Sequence, residues 1–226
     1  MHVIVTDVIK RFEESADKQR ALQQKAYMRN QFEFYGISSP ERALIYRSIF
    51  ALHNPVNQSI IEEVIPELWS LQQRECQYFA IELAKRHIRQ MDSAFVNTIE
   101  YMICQKSWWD TVDLIATNLV GKLFQKFPEL ILHYITKWAT SENLWLQRTT
   151  LLFQIKYKDK TDAALFFKLI ESFAGHPDFF IRKAIGWALR EYSRTDPQLV
   201  AEFVKNHQLS PLSTKEAVKL LKKRKL

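Results

Sequence analysis

The sequence predicts an all-α protein made of repeated helix pairs. Apolar residues recur at helical spacing along most of the chain; Phe180, Ala184 and Trp187, for example, follow a three-to-four-residue period without strand-like alternation. Glycine is scarce, with four in 226 residues, which argues against Gly-rich phosphate loops and β-turns. Prolines separate the periodic segments, and several follow a Ser, Asn or Asp that could cap a helix.

Similar segments recur about every 35 residues in the second half of the chain. Residues 143–148 (NLWLQR) align with residues 178–183 (DFFIRK) and, 36 positions earlier, with residues 107–109; a weaker echo lies near residues 74–81. A period of about 35 to 40 residues with two helices per unit is typical of a HEAT-like solenoid. We therefore expect one domain over residues 1–226. Arg148 and Lys183 would then be neighbours on its concave, basic face.

Positive charge is concentrated in the second half. Residues 1–104 carry 12 Lys/Arg against 13 Asp/Glu, residues 105–226 carry 20 against 12, and the net charge is +7. Such a surface attracts polyanions, so nucleic acid is the leading partner. A solvated basic tail is the alternative explanation, because half of the excess comes from Lys222, Lys223, Arg224 and Lys225.

The remaining composition indicates a cytoplasmic protein without metal or cofactor. No uninterrupted apolar run reaches 18 residues, and Lys10 and Arg11 come too early for a secretory signal. Cys76 and Cys104 lack a CxxC motif or a Cys/His cluster, so we expect reduced thiols and no zinc site. We expect a monomer, because a solenoid that wraps a duplex needs no second subunit.

Two Trp-containing pairs are candidates for chemistry. Trp109 and Asp113, four positions apart, share one face of a helix, which places an indole beside a carboxylate. Trp187 and Arg190, three apart, form a second pair. The structural alternatives are a core Trp109 with Asp113 capping or salt-bridging nearby, and a packed Trp187 beside a solvated Arg190.

Six segments match motifs of a known family: YMRNQFEFYGI (27–37), ELW (67–69), KSWWDTVD (106–113), WLQR (145–148), FQIKYK (153–158) and KAIGWALREY (183–192). Through them, residues from about 20 to 220 resemble AlkD-type DNA alkylation repair proteins. The resemblance implies a HEAT-like superhelix that holds duplex DNA. It also implies a monofunctional glycosylase that releases N3- and N7-alkylated purines, the first step of base excision repair.

The resemblance also assigns roles to residues. Asp113 matches the family's acidic residue, Trp109 and Trp187 its two indoles, and Arg148 its phosphate-gripping arginine. The resemblance also implies that branches without the acidic residue bind DNA without cleaving the glycosidic bond, so Asp113 favours an enzyme. The family contacts sugar and backbone and does not enclose the flipped base in a pocket.

These residue types suit the reaction. An N3- or N7-alkylated purine is already cationic, so no general acid is needed, and Asp113 would stabilise the oxocarbenium-like sugar or orient the attacking water. Trp109 and Trp187 would present electron-rich faces to that sugar. The backbone-gripping residues would be Arg148, Arg190, Lys156, Lys158 and Lys183. Tyr27 would touch DNA, unless it packs between the first helices.

Two other functions remain open from the residues alone. A non-catalytic HEAT-repeat protein could use the same basic groove to recognise damaged, bent or branched DNA. A protein scaffold would instead present an apolar groove, with weak salt dependence of binding.

Overall fold

The computed structural model describes residues 1–221, and this part of the chain is built from α-helices. In chain order they are α1 (Val3–Glu14), α2 (Lys18–Tyr27), α3 (Ser39–Leu52), α4 (Gln58–Ser70), α5 (Arg74–His87), α6 (Val96–Cys104), α7 (Trp109–Ile115), α8 (Gly121–Lys126), α9 (Glu129–Ala139), α10 (Leu144–Leu152), α11 (Ala163–Ser172), α12 (Phe179–Tyr192), α13 (Pro197–Asn206) and α14 (Pro211–Ala217). Short 3-10 turns cover Ser93–Phe95 and Lys158–Lys160, and a π-helical segment covers Ala116–Val120. The all-α prediction is confirmed. The basic residues Lys222 to Lys225 lie outside the described residues.

The helices group into two compact units, Met1–Asp92 and Ser93–Leu226. The expectation of one domain over residues 1–226 stays a prediction. Between residues 1 and 221, no helix combines the length and the apolar character needed to cross a bilayer.

In the first unit, α1 packs on α3 and α4, and α4 packs on α5. The segment after α2 is anchored to α5 by Glu75, whose carboxylate accepts hydrogen bonds from the backbone N–H groups of Tyr35, Gly36 and Ile37 at 3.0, 2.9 and 3.2 Å. Gly36 has a φ of 87°, and a Cβ there would lie 2.0 Å from the Asp17 carbonyl oxygen. Glycine is therefore required where this segment crosses the start of α2.

In the second unit, α7, α10, α12 and α14 pack against one another in succession. The intervening helices flank this row: α6 packs on α7, α9 and α11 pack on α10, and α13 packs on both α12 and α14. Alternating inner and flanking helices are the arrangement expected of stacked helix pairs. The predicted helical repeat is confirmed in this unit.

Matching caps begin two of the inner helices. The Asn143 side chain accepts hydrogen bonds from the backbone N–H groups of Trp145 and Leu146, and Asp178 does the same for Phe180 and Ile181. These bonds satisfy N–H groups that have no partner inside the helix. The 35-residue register read from the sequence is thus reproduced bond for bond at α10 and α12.

Candidate active site

The helix that carries Asp113 has an irregular middle. Helix α7 continues through the π-helical segment Ala116–Val120 into α8. The Thr117 hydroxyl donates to the carbonyl oxygen of Asp113 at 2.8 Å, and the Asn118 amide donates to that of Leu114 at 2.8 Å. Both side chains thus return a hydrogen bond to a carbonyl one turn earlier, in the part of α7 that precedes the π-helical segment. Such π segments occur frequently at functional sites.

Asp113 is joined to Arg148 of α10 by two parallel hydrogen bonds. Arg148 Nε lies 2.7 Å from Asp113 Oδ1, and Arg148 Nη2 lies 2.9 Å from Oδ2. Arg148 Nη1 also donates to the backbone carbonyl of Phe180 in α12. The two side chains are only 5% and 16% exposed, for Arg148 and Asp113 respectively. The pair therefore fixes the carboxylate with respect to three successive inner helices.

Burial and charge act on Asp113 in opposite directions. The pKa of its carboxyl is raised from the ordinary value chiefly by burial, while the hydrogen bonds and charge of Arg148 lower it and the nearby Asp110 raises it. A bidentate guanidinium stabilises the ionised form strongly. Asp113 is thus a partly desolvated carboxylate paired with one cation.

Three aromatic rings pack together at the starts of the inner helices. The ring centroids of Trp108 and Trp145 lie 5.6 Å apart, those of Trp108 and Phe180 5.2 Å, and those of Trp145 and Phe180 5.1 Å. Trp108, to which the sequence alone assigns no role, therefore contacts both other rings of this cluster. Trp109 follows it as the first residue of α7, on the face of Asp113 and partly exposed.

Trp187 lines a cleft of about 820 Å³ in the second unit. The cleft also takes in Lys156 and Lys158, so three of the residues singled out from the sequence lie together. Phe166 and Tyr192 supply further aromatic surface. In the described part of the chain, Asp113 and Trp109 are not among the lining residues.

Lys156 connects this cleft to the π-helical segment. Its Nζ lies 2.6 Å from Asn118 Oδ1, although the side chain is exposed. Asn118 follows Asp113 on the same continuous helix. The continuous helix that carries the Asp113 carboxylate therefore also orients Lys156 of the cleft, through Asn118.

Lys183 and Arg190 share a carboxylate that sequence reasoning missed. Lys183 Nζ lies 2.6 Å from Glu216 Oε1, and Arg190 Nη1 lies 2.6 Å from Oε2. Lys219 also reaches Oε1 at 2.6 Å. Burial acts to raise the pKa of Glu216, but the hydrogen bonds and charges of Lys183 and Lys219 lower it to about 2. The only signal in the sequence is the interval of 33 residues from Lys183, close to one repeat.

Residues 8–221 match the family model described as DNA alkylation repair enzyme. The chain belongs to this family. No curated protein matches the chain significantly.

Two solved structures are similar in fold to this member of the DNA alkylation repair enzyme family. A protein described as a predicted DNA alkylation repair enzyme from Enterococcus faecalis is 32% identical, with a TM-score of 0.86 over 92% of this chain and 97% of that one. AlkD2 from Streptococcus mutans is 18% identical, with a TM-score of 0.62 over 88% of this chain and 98% of that one. The second likeness concerns the fold alone.

Tyr27 lies in the first unit of this alkylation repair family member. It is the last residue of α2 and is 72% exposed, so it is not packed between the first helices. Its contact with DNA stays a prediction, as do the roles of the other site residues and the concave basic face.

Proposed function

We propose that the protein is a monofunctional DNA glycosylase that hydrolyses the N-glycosidic bond of cationic N3- or N7-alkylated purines in duplex DNA. Membership of the DNA alkylation repair enzyme family supports alkylated DNA as the substrate. The observation that carries the chemistry is the Asp113 carboxylate, desolvated and fixed by Arg148.

The carboxylate keeps the capacity to act on a substrate. An ionised carboxylate has about four acceptor positions, and Arg148 uses one on each oxygen. Because Asp113 is 16% exposed, the remaining positions are open to a water molecule or a sugar. Its orientation is set before DNA arrives, which is the condition for effective electrostatic stabilisation.

Bond cleavage requires little from the protein besides this charge. The electron pair of the glycosidic bond moves to the purine and neutralises it, while positive charge develops on the sugar. A carboxylate 4 Å from that charge contributes about 4 kcal/mol at an effective dielectric constant near 20. This corresponds to roughly a thousandfold in rate. Water then attacks the anomeric carbon and its proton passes to the surrounding solvent, while Asp113 orients this water.

Aromatic and cationic side chains complete the proposed site. Trp109 and Trp187 face the positive sugar, each contributing about 0.5 to 2 kcal/mol. The Arg148 guanidinium has five N–H donors and uses three in the protein, so two remain for a phosphate oxygen. Arg190, Lys156, Lys158 and Lys183 extend the contact with the backbone. The base leaves without being enclosed in a pocket, so bulky adducts are accepted and neutral lesions react poorly.

The test is release of 3-methyladenine and 7-methylguanine from methylated duplex DNA, by wild type, Asp113→Asn and the exposed control Asp92→Asn. We expect release by wild type and control, and a loss of about a hundredfold or more in D113N with DNA binding retained. If wild type binds the DNA but releases neither base, the protein is a non-catalytic DNA-binding member of the family. If D113N keeps wild-type activity, the proposed role of the carboxylate is wrong.

A further inference from the structure

Glu216 stands at the contact between α12 and α14, with three cations on one carboxylate. Its side chain is 5% exposed, whereas those of Lys183, Arg190 and Lys219 are 40%, 25% and 46% exposed. The acceptor is therefore buried and the three cations extend from it towards solvent. Two of them belong to α12, and each of those two uses a different carboxylate oxygen.

The backbone of Glu216 is held in place by a close approach at Gly186. A Cβ at Gly186 would lie 2.5 Å from Glu216 Cβ and 2.8 Å from the Ser213 carbonyl oxygen. The Ser213 hydroxyl donates to the carbonyl oxygen of Arg182 at 2.9 Å. These contacts leave α14 little freedom to slide along α12. The carboxylate is consequently a fixed point from which the cations are oriented.

The two cations of α12 flank Trp187. Lys183 precedes it by four residues and Arg190 follows it by three, so the three side chains lie along one face of the helix. Long cationic side chains lose much rotamer freedom when they bind. A buried carboxylate that already restrains them lowers this cost at the moment of binding.

The charge balance leaves the cluster attractive to phosphate. Lys183, Arg190 and Lys219 surround the one carboxylate of Glu216. Arg190 Nε also lies 3.8 Å from Glu191 Oε1, a carboxylate that Arg194 shares, so four cations against two carboxylates leave an excess of two positive charges. If the role of Glu216 were only to neutralise the cations, the local charge would be close to zero. Glu216 therefore fixes the direction of the cations while the cluster keeps its attraction for phosphate.

We propose that Glu216 is a positioning residue of the DNA-binding face, which holds Lys183 and Arg190 on either side of Trp187 so that they meet two defined phosphates of one DNA strand. This inference rests on the proposed function for the identity of the ligand. Glu216 itself does not touch the substrate.

The test measures which phosphates matter, independently of catalysis. Duplexes containing a tetrahydrofuran abasic analogue carry a single methylphosphonate at each position around it in turn, and the dissociation constant is measured for wild type, Glu216→Gln and Glu216→Asp. Glu171→Gln is the matched control, because Glu171 is an exposed carboxylate of α11 whose loss changes the net charge equally. Thermal unfolding verifies that each variant is folded.

For wild type and E171Q we expect neutralisation of two phosphates to weaken binding about tenfold each. In E216Q the effect of those two positions falls to about twofold or less, while affinity for the unmodified duplex stays within about threefold, because a negative charge has been removed and not a positive one. E216D restores part of the position dependence. An unchanged profile in E216Q, or a wild-type profile without position dependence, would overturn the proposal.

Excision of 7-methylguanine under single-turnover conditions is recorded in parallel. The expected result is a rate constant about tenfold lower in E216Q at saturating protein, because Lys183 and Arg190 no longer hold the DNA strand in register with Trp187. If wild type shows no excision but the methylphosphonate profile changes as expected, the glycosylase proposal fails and the positioning role stands. If E216Q unfolds, E216D carries the comparison with an intermediate expectation: the effect of the two phosphate positions should be smaller than in wild type, and an unchanged profile overturns the proposal.

Discussion

Asp113 and Arg148 are 35 residues apart, one repeat period, and their side chains close a bidentate ion pair between adjacent inner helices. Buried ion pairs of this kind contribute little net stability but are costly to break on one side. Arg148 is therefore both a bound partner of the carboxylate and a candidate contact of the phosphate. Its two roles can be separated by experiment.

Removal of the guanidinium alone should destabilise the fold. In Arg148→Ala the carboxylate of Asp113 stays buried without its partner, and we expect a loss of about 3 to 5 kcal/mol in the free energy of unfolding. The double variant Asp113→Asn/Arg148→Ala should be less destabilised than the sum of the single variants. Urea denaturation measures all four proteins. If the loss of unfolding free energy in the double variant equalled the sum of the losses in the two single variants, the two side chains would not be coupled.

Catalysis should depend on the ionisation of Asp113. Because burial raises the pKa of this carboxyl, protonation begins at a pH above that of an ordinary aspartate. The single-turnover rate constant of excision should therefore fall as pH decreases through this raised pKa, while the protein remains folded by circular dichroism. A rate constant that stays level down to pH 4 would contradict a requirement for the ionised carboxylate.

Acid should remove the stabilising effect of Glu216. Its folded-state pKa of about 2 lies below the unfolded value of about 4.3, so its contribution is complete above the unfolded value and is lost as pH falls towards the folded one. The difference in unfolding free energy between wild type and E216Q should narrow between about pH 4.5 and pH 2. A difference that is constant across this range would contradict the lowered pKa.

Two glycines offer a matched comparison of packing. Gly186→Ala places a Cβ against Glu216 and Ser213 and should destabilise the protein by about 1 to 3 kcal/mol. Gly175→Ala meets no atom within 4 Å and should be neutral or stabilising by up to about 1 kcal/mol. Thermal unfolding of both variants tests this. Equal effects would contradict the close approach of α12 and α14.

Lys156 should contribute one phosphate contact. In Lys156→Ala the slope of log K against log salt for duplex DNA should become shallower by about 1 unit, with a similar loss for every sequence. Lys10→Ala removes the same charge from an exposed position of α1 and should leave the slope unchanged. If both variants changed the slope equally, the prediction of a specific phosphate contact for Lys156 would be wrong.

Local features of the fold were predictable because they depend on neighbouring residues. Helical periodicity and the shared face of Trp109 and Asp113 follow from spacing within one or two turns. The alignment of residues 143–148 with residues 178–183 also put Asn143 and Asp178, the two observed caps, at equivalent positions. The repeat interval of 35 residues also predicted the register between α10 and α12. The helical repeat could therefore be derived from the sequence before any contact between helices was known.

Partners between helices were not predictable in the same way. Spacing shows that Lys183 and Arg190 share a face, but not that Glu216 lies beneath them, because a charged residue on a short helix is usually solvated. Trp108 and Trp109 are adjacent and chemically identical, and only packing separates the one in the ring cluster from the one beside Asp113. The contacts of Arg148 likewise required the helices to be assembled.

The π-helical segment Ala116–Val120 joins α7, which must direct the Asp113 carboxylate, to α8, which must pack closely at Gly121. Each added residue turns a helix by about 100°, so an extra residue in one turn changes the direction of everything that follows. After the segment, Gly121 lies so close to the Phe153 carbonyl oxygen that a Cβ would be 2.5 Å away. Deleting one residue here would turn Gly121 away from α10 while Asp113 kept its place. The π-helical segment thus sets the rotation of α8 relative to α7. Asp113 before the segment and Gly121 after it can therefore each face its own partner in α10 or just beyond it.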